Sequence, residues 1–218
     1  MRRRWSIIVL IIIVVMVALG IAYHFYRINA LRSALKPLAL EDESLFKEML
    51  TATKTLPNIT LAELSEKAQK NIDARNEIVS KVKALDPYLY KKQVGLFLRL
   101  LELENEYARS LVALKRAWLE ARTQPREEIV TEVEEVQIAK QKPIYREKTF
   151  KKTLVKFREV VEKAQAASRE HLKISEEILA FEKQNTKSLS SIIPKRNIIP
   201  LLEEVIRELG TRDWGLGL

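Results

Sequence analysis

The sequence predicts an all-α protein, in which a single N-terminal transmembrane helix is followed by an antiparallel helical bundle or an elongated helical hairpin with coiled-coil character. An almost unbroken apolar run covers residues 7–22. The 218 residues include only 5 glycines, and Leu, Ile, Val, Ala, Glu, Lys and Arg are abundant, which favours helix over sheet. Beyond the run, apolar residues recur at steps of three and four, as on one face of an α-helix.

The N-terminal run has the length and the borders of a membrane-spanning helix. Arginines at residues 2–4 precede it, and aromatic residues stand at both of its ends. A bilayer core about 30 Å thick needs about 20 residues of helix, and amphipathic rings favour its two interfaces. The residues predicted to form the anchor are Trp5, Ile7, Leu10, Ile13, Met16, Leu19, Tyr23 and Tyr26.

The arginines at residues 2–4 also bear on orientation. Basic residues favour the cytoplasmic side, so we expect a cytoplasmic N-terminus and the bulk of the chain outside the cytoplasm, in the periplasm if the host is bacterial. A cleavable signal peptide is the competing interpretation, with a cleavage site before Tyr23. The uncleaved anchor is favoured because the apolar run continues through Ile21 and Ala22 and aromatic residues flank it.

Prolines and capping residues divide the chain into four segments. They are a membrane anchor (1–26), a juxtamembrane helical connector (27–59), a bundle or coiled-coil domain (60–190), and a C-terminal amphipathic helix with a tail (191–218). Within the connector, Pro37 is expected to interrupt the helix. Thr60 with Glu63 forms a capping-box signature at the start of the domain. A second helix is expected from Pro87, capped by Asp86, to about residue 122.

The third long helix is predicted over residues 147–189, after an ambiguous segment. Residues 126–143 mix glutamates with valines and isoleucines and fit a short helix or an extended hairpin arm equally well. Beyond them the heptad pattern is the most regular in the chain. The predicted helix seam consists of Phe150, Phe157, Val160, Ala164, Ala167, His171, Ile174, Ile178 and Phe181. Together with helices over 60–85 and 87–122, this helix is expected to form the core.

No residue is nominated for catalysis, cofactor binding or metal binding. The chain has no cysteine, which excludes disulfides, thiolate metal sites and cysteine nucleophiles. None of the common nucleophile, phosphate-loop, zinc or dinucleotide motifs occurs, so we expect no enzyme and no cofactor. His171 is the sole histidine beyond the membrane boundary and is expected to be packed and hydrogen-bonded rather than a ligand. His24 is expected to be an amphipathic boundary residue.

A basic stretch follows the acidic segment. Between Lys140 and Lys173 the lysines and arginines outnumber the glutamates. This half of the predicted helix is either a docking strip for an anionic partner or a solvated surface, and the solvated surface is favoured. The residues of the possible docking strip are Lys148, Lys151, Lys152, Lys156 and Arg158. Nucleic acid is not an expected partner of an exported domain.

The function expected from these patterns is that of a membrane-anchored scaffold or assembly subunit. Its helical domain would bind another protein or a second copy of the chain, without a small-molecule substrate. One alternative is an extracytoplasmic ligand-sensing bundle that acts through a partner. Another is a secreted helical protein released by signal-peptide cleavage.

Overall fold

The structure is a computed structural model that describes residues 2–125, 127–136, 144–153 and 155–211, with side chains described for residue 8 and for residues 10–125 and 155–211. The elements are α1 (Arg2–Lys54), α2 (Leu61–Ala84), α3 (Lys91–Thr123), β1 (Glu127–Val136), β2 (Ile144–Thr153), α4 (Val155–Leu189) and α5 (Ile199–Thr211). The prediction of an all-α fold, with one long apolar N-terminal helix leading into a bundle, is confirmed. Among the described residues, a two-stranded hairpin lies between α3 and α4.

Helix α1 runs through Pro37 without a break, so the predicted interruption is wrong. Proline inside a helix removes one hydrogen bond and costs about 3 kcal/mol. Here the residues on both sides of it pack into the bundle, since Leu35, Ala39 and Phe46 are buried. The apolar segment is therefore joined by one helix to the core.

Four helices alternate in direction around the main hydrophobic core. Asp42 contacts Arg75 and Leu45 contacts Asn71, so α2 is antiparallel to α1. Arg75 contacts Asn105, and Ala68 lies beside Val112 and Arg116, so α2 is also antiparallel to α3. Helix α4 runs back along α3, and α5 packs mainly against α4. The core receives buried residues from every helix, including the connector and the C-terminal segment, for example Leu35, Phe46, Leu64, Ile78, Phe97, Tyr107, Ile178, Leu202 and Val205.

The start of α2 is as predicted, whereas the start of α3 is not. Thr60 is the N-cap of α2, and its hydroxyl accepts a hydrogen bond from the Glu63 N–H at 3.1 Å. Helix α3 begins at Lys91 instead of Pro87. Tyr88 has a φ of 47°, in the left-handed region, and the Asp86 carboxylate accepts a hydrogen bond from its N–H at 2.9 Å. Asp86 thus caps a turn, and the helix begins after this turn.

The ambiguous acidic segment contributes a strand of an antiparallel hairpin. Glu127 pairs with Thr153 at one end of the ladder and Val136 pairs with Ile144 at the other, while residues 137–143 lie outside the described residues. The predicted start of the long helix at residue 147 is therefore wrong, and Phe150 belongs to β2 rather than to the helix seam. Strand β2 is rich in β-branched and aromatic residues, and its backbone groups bond to β1.

The other predicted seam residues lie in α4 and face the bundle. Phe157, Val160, Ala164, His171, Ile174 and Ile178 are buried, and Ala167 and Phe181 are half-buried. Near the hairpin, α4 joins α3 in a second, smaller apolar cluster, formed by Trp118, Ala121, Phe157, Val160, Val161 and Ala164. The seam is thus buried within the chain, whereas its coiled-coil character stays a prediction.

Helix α5 packs against α4 and α1. It starts at Ile199 with Pro200 in its first turn, where a missing N–H costs little. The helix includes Gly210 and ends at Thr211. Residues 212–218 of the predicted tail lie outside the described residues.

Candidate functional site

The apolar segment of α1 is uncovered by the rest of the described chain. Its large side chains are between 49% and 70% exposed, the extremes being Val15 and Tyr26. A continuous exposed apolar surface of this size is not stable in water and marks a surface for lipid or protein. By length and composition this is a helix that could cross a membrane. The side chains of Trp5 and Ile7 lie outside the described ones.

Where the apolar segment ends, α1 is held by the connection between α2 and α3. Arg27 forms an ion pair with Asp86, and its guanidinium carbon lies 5.2 Å from the centre of the Tyr88 ring. The ring of Tyr88 is 6.3 Å from that of Tyr23 and 5.8 Å from that of His24. His24, predicted to be a boundary residue, is half-buried in this contact. The bundle therefore begins directly at the end of the apolar segment.

The middle of the bundle contains a buried group of charges that was not predicted from the sequence. This ionic cluster consists of Asp42 from α1, Arg75 from α2, Glu104 from α3, Glu182 from α4 and Arg196 from the connection before α5.

Two guanidinium groups hold the ionic cluster together. The Arg75 Nε lies 2.8 Å from an Asp42 oxygen and 3.3 Å from a Glu104 oxygen. The Arg196 Nη2 donates to Glu104 at 2.6 Å, and its Nη1 is 3.0 Å from Glu182. Each arginine thus contacts carboxylates from different helices. Because removal of one partner would strand buried charge, the cluster fixes how the helices are arranged.

The charges of the ionic cluster balance if one carboxyl group keeps a proton. Three carboxylates face two guanidinium groups. Burial, together with the nearby charge of Asp42, raises the pKa of Glu104 well above its usual range, although Arg196 and Arg75 oppose the shift. Burial also raises the pKa of Glu182. Burial would lower the pKa of Arg196, but the surrounding carboxylates outweigh it and raise that pKa.

Little space adjoins the ionic cluster. The cavity next to Glu182 and Arg196 measures about 20 Å³, which is room for one water molecule. The ionic cluster is thus enclosed in the core on the described side of Glu182 and Arg196.

His171 is packed and hydrogen-bonded, as predicted. Its Nδ1 lies 2.7 Å from the Ser110 hydroxyl, and its ring centre is 4.5 Å from that of Tyr107. The Tyr107 hydroxyl in turn lies 2.6 Å from the Thr53 hydroxyl. Burial lowers the pKa of His171 to about 3. In the described part of the chain, no group of three potential ligands is arranged to hold a metal ion.

This buried neutral histidine should make folding sensitive to mild acid. Its pKa is about 3 when folded and about 6.5 when unfolded, so below pH 6.5 protons bind mainly to the unfolded chain and stability falls as pH falls. Between pH 7 and pH 5 the His171 contribution should decrease by about 2 kcal/mol. We expect His171→Phe to remove this part of the pH dependence, measured by urea unfolding of residues 27–218.

The readout of the His171 experiment is the change of the free energy of unfolding with pH, and not its absolute value. Ser110 keeps a hydrogen bond to the Tyr107 carbonyl at 2.9 Å when the imidazole is absent. Glu104 acts in the opposite direction, because its raised pKa makes stability fall as pH rises, and it is present in both proteins. Identical pH profiles for the two proteins would contradict the prediction.

The possible docking strip does not lie on one helix, contrary to the sequence-based expectation. Lys148, Lys151 and Lys152 belong to β2, whereas Lys156 and Arg158 are exposed on the first turn of α4. The strand register places Lys152 opposite Glu128 and Lys148 opposite Glu132. These two basic positions therefore face acidic positions of β1, whereas Lys151 faces Ile129. A docking role stays a prediction.

The chain matches no known protein family, and neither a curated protein nor a solved structure is detectably similar to it. The functional argument therefore depends on the geometry of the chain itself. Its main features are an uncovered apolar segment, a bundle that begins directly at the end of that segment, and a hairpin at the other end of the bundle.

Proposed function

We propose that the chain is a single-pass membrane-anchored scaffold or assembly subunit. Its N-terminus lies in the cytoplasm, and its bundle stands outside the cytoplasm, where it binds another protein or a second copy of itself. The observation that carries this proposal is the continuity of α1, which passes from the exposed apolar segment into the core without a break.

The continuous helix supports an anchor that is retained rather than cleaved. Ile28, Leu31 and Leu35 are buried, so the bundle starts within one turn of the last aromatic residue, Tyr26. A signal peptidase acting before Tyr23 would cut inside the helix. With α1 intact, the bundle is held upright on the membrane by a helix instead of a flexible linker.

The hairpin supports a role in binding protein. It leaves the end of α3 and returns at the start of α4, and these ends are farthest from the apolar segment. A helix as long as α3 places them about 50 Å from the start of the bundle. Within the described residues the sheet has two strands, so each strand has an outer edge without a strand partner. Such edges add a strand from another protein readily, and an isolated hairpin gains stability by doing so.

Ligand sensing is the alternative function, and a surface groove would be its site. The groove lies between α2 and α3, has a volume of about 340 Å³ and is lined by Ala68, Ile72 and Val112 among others. Polar residues also line it, namely Ser65, Gln69, Arg109 and Arg116, but the groove is open to solvent and would bury little of a ligand's surface. The geometry therefore favours the scaffold.

Membrane fractionation tests the anchor. We expect the full chain to stay with membranes after high-salt and carbonate washing, because its apolar segment is buried in lipid. Ile12→Lys with Val15→Lys should release it, since each lysine at the centre of a spanning helix costs about 3 kcal/mol. Leu40→Lys, which alters an exposed leucine on the bundle, is the control and should change nothing.

Orientation and processing are read from the same membranes. A protease confined to the cytoplasmic side should leave residues from Arg32 onward intact, as the arginine bias predicts. A mature chain that begins at Tyr23 by mass spectrometry, or release of the unmodified chain by carbonate, would contradict the anchor.

Co-purification tests partner binding. We expect protein partners to co-purify with the full chain from membranes in mild detergent, and to be lost when residues 127–153 are replaced by a short Gly-Ser loop. The bundle itself should remain folded, because the described core residues lie in the helices and in the connections before α2 and before α5, outside residues 127–153. If the same proteins are retained by the loop variant, the hairpin is not their binding site. If the full chain neither retains a partner nor self-associates, the scaffold function is wrong.

A further inference from the structure

We propose that the connection between α2 and α3, residues 85–90, is a second membrane contact of the bundle. It would enter the interfacial layer of the leaflet from which α1 emerges, with Leu89 among the lipid headgroups and upper acyl chains. This inference depends on the proposed membrane anchoring and adds to it the way in which the domain is seated.

The first argument is the position of the connection. Tyr88 packs against Tyr23 and His24, and Asp86 pairs with Arg27, so the connection lies beside the last turn of the apolar segment. Aromatic rings at this level of a spanning helix belong to the membrane interface. Leu89 is the next residue along the chain and lies within about 4 Å of Tyr88, measured between Cα atoms.

The second argument is the exposure of Leu89. Its side chain is 66% exposed, among the highest values of the large apolar residues that are described outside the anchor. A single exposed leucine elsewhere on a protein needs no explanation. Here the leucine follows Tyr88, which packs against the last turn of the apolar segment, so Leu89 lies at the level where α1 leaves the bilayer. Lipid is therefore the expected occupant of its exposed surface.

The third argument is the way in which the turn is built. Tyr88 has a left-handed φ of 47°, which is uncommon for a residue other than glycine, and the Asp86 carboxylate stabilises it by accepting from its N–H. This turn places the Tyr88 ring against α1 and leaves Leu89 exposed. The exposed Lys91 and Lys92 follow directly, as basic residues do where a chain leaves an apolar layer toward anionic headgroups.

Two contacts with the membrane, through α1 and through residues 85–90, would restrict the orientation of the bundle more than α1 alone. A bundle attached through α1 alone tilts together with that helix in the bilayer. A second contact beside α1 restricts this tilt, and hence the angle and the height above the membrane at which the hairpin is presented to a partner.

The absence of cysteine allows a clean labelling experiment. Full-length chains with Leu89→Cys, Val14→Cys or Leu40→Cys are labelled with an environment-sensitive fluorophore and reconstituted into phosphatidylcholine and phosphatidylglycerol vesicles. Val14 lies midway along the apolar segment and reports on the anchor. Leu40 is the matched control, an exposed leucine about 21 Å farther along α1 than Tyr26.

The proposal expects a blue-shifted emission at position 89 and quenching by lipids that carry a nitroxide near the headgroup. Position 14 should be quenched most by nitroxides deep in the acyl chains, and position 40 should not be quenched. Quenching at position 14 without quenching at position 89 would overturn the second contact and leave the anchor intact. No quenching at position 14 would instead overturn the anchor. A probe at position 89 that is shielded from aqueous iodide but not quenched by lipid would indicate protein contact and also overturn the proposal.

Discussion

Replacing Arg75 with methionine is expected to lower the free energy of unfolding by about 3 to 5 kcal/mol. The arginine is fully buried, and its Nε lies between the carboxylates of Asp42 and Glu104. Methionine fills much of the same space but carries no charge. The free energy of unfolding therefore falls because the buried carboxylates lose their counter-charge. Urea unfolding of residues 27–218 at neutral pH measures the effect.

Arg99 offers a matched control. It too has more than one carboxylate within 4 Å, namely those of Glu102, Glu106 and Glu177, but its side chain is half-exposed on α3. Ion pairs at the surface are screened by water, so Arg99→Met should cost about 1 kcal/mol or less. Adding Asp42→Asn to Arg75→Met should cost less than the sum of the two single changes, because the second removes charge that the first stranded. If the two arginine variants lowered the free energy of unfolding equally, burial in the ionic cluster would not add to the contribution of an arginine.

The ionic cluster could not be predicted as a cluster, because its members are far apart in sequence and only the fold brings them together. Two of its members, Glu104 and Arg75, nevertheless have a local signal in the sequence. Glu104 lies four residues after Leu100 and three before Tyr107, and both of these are buried. Arg75 lies three residues from both Ile72 and Ile78 in the same way. A charged residue at an apolar position of a helical stripe is a candidate for a buried ion pair.

The helices themselves were predicted well, because three- and four-residue spacing reports directly on the buried face. The errors occur where a local rule competes with packing or pairing. Pro37 is tolerated because buried residues on both sides of it hold the helix together. Phe150 matches the helical spacing of Phe157, yet β2 pairs with β1 and ends before Val155. Phe150 lies seven residues before Phe157, so spacing alone cannot distinguish a strand at Phe150 from an earlier start of the helix.

Phe157→Ala is the second change with a large expected effect. The side chain is buried beside Trp118, Val160 and Ala164 in the smaller apolar cluster of α3 and α4. Truncating a buried phenylalanine removes apolar contact and leaves a cavity, so the free energy of unfolding should fall by about 3 to 5 kcal/mol. The neighbouring Lys156 is exposed, and Lys156→Ala should cost about 0.5 kcal/mol or less. Thermal melting followed by circular dichroism compares the two variants.

The same face of α4 can be tested by adding volume. Ala164 is buried and Ala166 is exposed two residues later, so the pair differs mainly in burial. Ala164→Leu should destabilise the bundle by about 1 to 3 kcal/mol through overpacking, and Ala166→Leu should change little. If Phe157→Ala left melting unchanged but abolished co-purification of a partner, this stripe would be an intermolecular interface. The stripe would then belong to a coiled coil completed by another subunit, not to a bundle within one chain. The reason is that truncating a residue at an intermolecular seam removes the partner and leaves the fold of the single chain unchanged.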